Sequence, residues 1–344
     1  LVLPESWTAA LLLLLLSACF FVIWPNLFKL AGPKWRYELF AIDFALGALL
    51  LALIAAYTLG SRGSELDFSD SMLVAGRRAQ AMAIAAGAVF AFGNLLYLGT
   101  IALMGLSNGT LFTFSVFGLG VGLLQLASAH SVSPGISALV FASAAVFTFL
   151  SAKATREAAA ARSRGPAVRG PGAPKTISLS AKGSITAILA GLSFAAVWPV
   201  LALAQTDELA IGAYGGVLMG AIGILAATLF LNFFFLNISL EGGKIGYTTY
   251  LTGGTPKLHA MGAASGAAWA AAALALYTAK TGAAKVTAFD AWIVPFAAAI
   301  LAAVSGVVFW QKVPIPAVAQ RNKWIALILF IAGAAVLLAG LHKP

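Results

Sequence analysis

Residues 45–56 read ALGALLLALIAA, and this stretch decides the fold. A half-buried strand alternates apolar and polar side chains, and a helix on the surface of a soluble protein keeps a polar stripe. This segment is apolar on every face, so it suits a helix surrounded by hydrocarbon or by other helices. Extended to residues 39–59, it is long enough to cross a hydrocarbon layer about 30 Å thick. The same stretch argues against a transmembrane β-barrel, whose strands alternate in polarity over about ten residues.

Nine further apolar runs follow the pattern, at 9–30, 81–106, 110–129 and 136–152, then at 184–204, 210–236, 258–277, 289–310 and 324–341. Of the 344 residues 61% are hydrophobic and 9% are charged, whereas a soluble domain carries about 25% charged residues. The expected fold is an all-α polytopic membrane protein of about ten transmembrane helices. Between the fifth and sixth runs, residues 153–183 are basic and rich in Ala, Gly and Pro, and read as a mobile linker. The chain thus divides into a first five-helix unit (1–152), a basic linker (153–183) and a second five-helix unit (184–344).

The halves resemble each other. An offset of 174 lays Cys19-Phe20 and Trp24-Pro25 over Ser193-Phe194 and Trp198-Pro199, and an offset of 179 lays Gly87 and Phe90 over Gly266 and Trp269. With an odd number of spans per half, the second enters the membrane upside down, which makes an inverted repeat. Placing the N-terminus outside assigns fifteen Lys and Arg to inward loops and six to outward ones, so both termini are expected outside and the linker in the cytoplasm of a bacterial cell.

The net charge of +10 follows this topology and forms no single stripe, so no nucleic-acid partner is expected. Cys19 is the one cysteine, which excludes an intrachain disulfide or a cysteine metal cluster. Residues 1–7 carry Glu5 and no Lys or Arg, so the first run is expected to be retained rather than cleaved as a signal peptide.

Three further segments carry a family likeness: YELFAID at 37–43, FGNLLYLGTIALMGLS at 92–107 and GGTPKLHAMGAASGAAW at 253–269. Together with the Trp-Pro end of the first span, they resemble the ureide permease family of the drug/metabolite transporter superfamily, which is related to bacterial sugar-uptake permeases. The resemblance implies ten helices in two inverted halves, a long central cytoplasmic loop, and proton-linked uptake of oxo-nitrogen heterocycles. Plant members carry a phosphate-binding-like motif in the central loop, and residues 153–182 contain nothing like it.

An ionisable side chain in mid-membrane costs about 2.5–3.5 kcal/mol on insertion scales, so each one needs a reason. Asp43, about one turn into the second span, is the candidate for proton coupling; the plainer alternative is an interfacial acid near Lys34 or Arg36. Glu38 and Asp290 read as acids at helix N-termini, and His259 as an anchor of its span or a titrating group. Asn94 lies deep in the third span with Tyr97 about a turn further along the same face; the pair either joins helices or contacts substrate. Asn232 in the seventh span carries the same two readings.

Trp24 and Trp198 precede Pro25 and Pro199, and two helix breaks at matched places point to a central site where indole rings stack on a flat heterocycle or a sugar face. Tryptophans of the interfacial belt are the alternative. Trp269, near Gly262, Ser265 and Gly266, is expected to combine helix packing with ligand contact.

No metal is expected, because His130 and His342 fall apart from any acid. No cofactor is expected either, because the glycine-rich residues 242–254 lack the ending of a phosphate loop. With no catalytic motif in view, the chain reads as a non-enzyme. The expected function is a proton-coupled permease for a small polar solute, a ureide, nucleobase or similar heterocycle, in the bacterial inner membrane, with a homodimer allowed. A sugar permease or a metabolite exporter of the same superfamily stays open, as does a membrane scaffold or sensor whose linker is a docking arm.

Overall fold

Long apolar runs become long helices. The computed structural model describes residues 3–62, 67–128, 132–163, 179–205, 210–238, 240, 242–281, 286, 288–311 and 314–341. In chain order the helices are α1 (Trp7–Ala31), α2 (Tyr37–Thr58), α3 (Phe68–Val74), α4 (Arg77–Met104), α5 (Leu106–Ser128), α6 (Ser133–Ser163), α7 (Leu179–Leu203), α8 (Ala213–Phe235), α9 (Thr248–Thr252), α10 (Pro256–Thr281), α11 (Ala288–Val308) and α12 (Ala317–Leu341). All but the short α3 and α9 are long and apolar enough to cross a membrane, which gives ten spans. Among the described residues there is no strand. Successive spans run back and forth, so one end of the bundle carries the α6–α7 connection (the linker end) and the other carries both chain termini (the termini end).

Helix ends follow local chemistry. Ser6 caps α1 by accepting a hydrogen bond from the Ala9 N–H at 3.2 Å, as short hydroxyl side chains do at exposed helix starts. Gly105, at φ +80°, is the whole corner between α4 and α5; a side chain would be strained in that conformation. Two boundaries depart from the apolar runs. Residues 153–163 continue α6 instead of beginning a linker, because KATREAAAARS stops being apolar without ceasing to favour helix. Likewise α7 starts at Leu179, so of the expected linker only residues 164–178 lie outside the described helices. His130 and His342 fall outside the described residues, as does the side chain of Asp290.

The outside of the bundle is apolar, with Leu12, Leu50, Leu139, Phe230 and Ile328 all exposed, as expected where the solvent is lipid.

The helix pairings come in matched couples. α1 packs on α10 as α7 packs on α4; α2 packs on α10 as α8 packs on α4; α5 meets α7 as α11 meets α1; and α2 with α8, α5 with α11 and α6 with α12 meet as counterparts. One device recurs in two of these contacts. A Cβ on Gly47 of α2 would fall on the carbonyl oxygen of Ala263 in α10, and one on Gly266 of α10 would fall on that of Phe44 in α2. In the other couple, Gly87 of α4 abuts the carbonyl of Gly220 in α8, and Gly223 of α8 abuts that of Ile84 in α4. Each glycine therefore presses on the residue three positions before its partner glycine. Such backbone-to-backbone approach is what small residues allow in membranes, where apolar burial no longer drives association.

Candidate functional site

Where α1, α4, α5, α7, α10 and α11 meet, the bundle holds a cavity of about 130 Å³. Engineered apolar cavities of roughly 150 Å³ hold a benzene molecule, so a single small ring fits this one. Its walls are mostly aromatic, with Trp24, Phe90, Phe114, Phe194, Trp198 and Trp269 among them. Near the linker end it is bounded by Trp24, Tyr97 and Thr110, and it extends along α7 and α10 to Trp198 and Tyr277 near the termini end.

Trp24 is the hub. Its ring lies 5.8 Å from Phe44, 5.6 Å from Phe90, 5.3 Å from Tyr97 and 6.2 Å from Phe194, within the range of edge and offset aromatic contacts. The indole N–H is buried without an acceptor. The Tyr97 hydroxyl shares a 2.8 Å hydrogen bond with Thr110. Trp269 packs at 4.6 Å on Phe90, its counterpart under the offset of 179. Trp198 packs at 4.5 Å on Trp292, and the Lys280 ammonium stands 5.7 Å from its ring centre. No side chain in the wall is acidic or basic.

Both prolines lie inside helices that continue past them, so they are not breaks. Each still removes one N–H from the helix ladder. Pro25 is buried and lines the cavity, whereas Pro199 is exposed and does not. Pro295 of α11, which the Trp-Pro pattern could not reveal, lines it as well.

The two asparagines do not form part of the wall. Asn94 is 1% exposed, and neither amide atom has a partner. It sits one turn from both Phe90 and Tyr97, the two rings of α4 that Trp24 contacts. Asn232 instead joins α8 to the first turn of α2, donating to the Glu38 carbonyl at 2.8 Å.

Asp43 is placed elsewhere, at the linker end, in a cluster of its own. The carboxylate accepts from the Trp35 indole at 2.9 Å and from the Tyr250 hydroxyl at 2.6 Å, and lies 2.9 Å from Nδ1 of His259. Burial, and then the hydrogen bond to Asp43, push the Tyr250 hydroxyl well above its ordinary range, so it stays a donor. Nearby, Arg36 grips the fully buried Glu38 through Nε at 3.2 Å and Nη2 at 2.6 Å. Trp35 and Tyr250 carried no signal of their own in the sequence, since Tyr250 sits in the glycine-rich stretch and its contact with Asp43 spans 207 positions. Among the described residues no three or more His, Cys, Asp or Glu gather as metal ligands would.

Fold and packing together define an all-α polytopic membrane protein, with a helix arrangement compatible with transporters. No protein-family model and no curated protein matches the chain. A protein of known crystal structure does, over 98% of each chain, with a TM-score of 0.52 and 13% identity. That likeness concerns the fold, from end to end.

Proposed function

We propose that the chain is a secondary transporter whose two five-helix halves, related as an inverted repeat of the drug/metabolite transporter kind, rock around the aromatic cavity. The observation that carries this reading is the cavity itself, built where counterpart helices of both halves meet. The paired glycine contacts of α2–α10 and α4–α8 support it, because they supply two equivalent seams on which the halves can turn.

The solute is a small flat heterocycle, in keeping with the ureide permease resemblance. Rings of Trp24, Phe90 and Trp269 offer faces for stacking, while the wall offers few hydrogen-bonding groups. A hexose would leave most of its hydroxyls unpaired there, and each buried unpaired group costs about 1–3 kcal/mol. The Trp24 N–H lacks an acceptor, which a ring carbonyl would supply. Movement of the indole on ligand entry would uncover Asn94, whose amide presents both a donor and an acceptor.

Asp43 couples the cycle to protons from outside the cavity. The protein acts without cofactor or catalysis, in a bacterial inner membrane with both termini outside. A thermal-shift screen of the purified protein against nucleobases, ureides, hexoses and amino acids tests the reading, because a ligand at about 100 times its Kd adds about 2.7 kcal/mol of stability. The expected result is a shift with a planar heterocycle that disappears in Trp24→Ala and Trp269→Ala. A shift with hexoses alone would overturn the solute class. No ligand, together with no uptake into proteoliposomes, would overturn the transporter.

A further inference from the structure

Residues 242–255 fold back over the linker end of α2 and α10, and polar ties hold them there. Tyr250 of α9 reaches Asp43, the Tyr247 hydroxyl donates to the Leu229 carbonyl at 2.7 Å, and Arg36 donates to the Gly243 carbonyl. No residue of α9 is buried, and Leu251 is 80% exposed. Ile245 and Tyr250 are only partly buried against the core, so hydrogen bonds carry much of the hold on this flap, and its closure depends on the state of its acceptors.

We propose that Asp43 is the catch of this flap: as a carboxylate it holds Tyr250 of α9 and His259 of α10 against Trp35, and a proton placed on the Asp43 carboxylate itself releases α9 from the linker end. The inference rests on the transporter reading for its purpose and on the cluster geometry for its chemistry. One oxygen, Oδ1, receives both Tyr250 and His259. A proton on that oxygen takes the place of one donor hydrogen, so Oδ1 no longer receives both, and the charge-assisted bond from Tyr250 is replaced by a weaker neutral one.

The route for the proton is also built in, since the His259 side chain keeps 31% of its exposure while that of Asp43 keeps 4%. The elements around Asp43 present Trp35 from the α1–α2 turn, Tyr250 from α9 and His259 from α10. Its own helix adds Glu38, already paired with Arg36. Neither α4 nor α8 carries an acid or a base at this end. Lys29, Lys34, Lys244 and Lys257 lie at the same end, the last three exposed.

Spin labels test the proposal without needing a solute. In full-length protein with Cys19→Ser, labels at Leu251→Cys on the flap and Glu157→Cys on the exposed end of α6 report the separation of flap and bundle. One short distance is expected at mildly alkaline pH, with a second, longer population growing as the pH falls. Asp43→Asn should show the longer population at all pH values. Tyr250→Phe, which keeps the ring and the carboxylate, should show it at higher pH than the parent. A single distance that ignores pH and both substitutions would overturn the catch. Uptake assays on the same proteins separate the two readings: a moving flap without transport leaves the catch standing and removes the transporter, and transport with a still flap does the reverse.

Discussion

Asn94 has no partner for either amide atom although it is 1% exposed, and that single side chain separates packing from function. An amide kept for stability would be bonded, because leaving one unpaired costs about 1–3 kcal/mol. Asn94→Leu should therefore melt at the same temperature as the parent or higher, yet lose about tenfold or more in ligand affinity, the equivalent of about 1.4 kcal/mol. Melting curves and ligand titration on one preparation check both halves. Asn232 should behave in the opposite way. Its donation to the Glu38 carbonyl joins two helices, so Asn232→Leu should lose about 1 kcal/mol of stability and leave affinity unchanged.

At this scale the sequence was a partial guide. Trp24, Tyr97, Trp198 and Trp269 could be singled out because each is a large or polar side chain at a telling interval, and they do share one cavity. Asp43 was visible as a rare acid in a span, but its partners were not, since Tyr250 and His259 reach it from 207 and 216 positions away.

Among the elements, the strongest constraint is the pair of glycine seams. A methyl group at Gly266 or Gly87 would displace a backbone carbonyl of the facing helix, and overpacking of this kind costs about 1–3 kcal/mol. Gly266→Ala and Gly87→Ala should each lower the melting temperature, by similar amounts if the seams are equivalent. Gly220→Ala is the internal control: a Cβ there meets only the Ala83 carbonyl, at 3.9 Å, and should be tolerated. A larger loss from Gly220→Ala than from Gly87→Ala would contradict the packing.

The spans themselves were plain in the sequence because hydrocarbon demands about twenty apolar residues whatever the tertiary contacts. Their ends were not. α6 and α12 reach into polar sequence, to Ser163 and back to Ala317, because helix propensity and packing outlast hydrophobicity. The short α3 and α9 lie outside the apolar pattern altogether. The Gly87–Gly266 correspondence was legible as an offset of 179, but its meaning as a seam required the facing carbonyls.

For the whole molecule, the proposed transport cycle has one aromatic cavity serving both faces of the membrane in turn. The cavity's place between α1, α4, α5, α7, α10 and α11 would give the means, and the proposed flap at the linker end would give a closure on that side. The most direct test is a cysteine inside the cavity, Ala273→Cys in the Cys19→Ser background, since Ala273 is in the wall and small. A membrane-impermeant thiol reagent is applied to oriented vesicles from each face, with and without a stabilising heterocycle. Labelling from both faces, slowed by the ligand, is the predicted result. Labelling confined to one face under every condition of pH and ligand would contradict it.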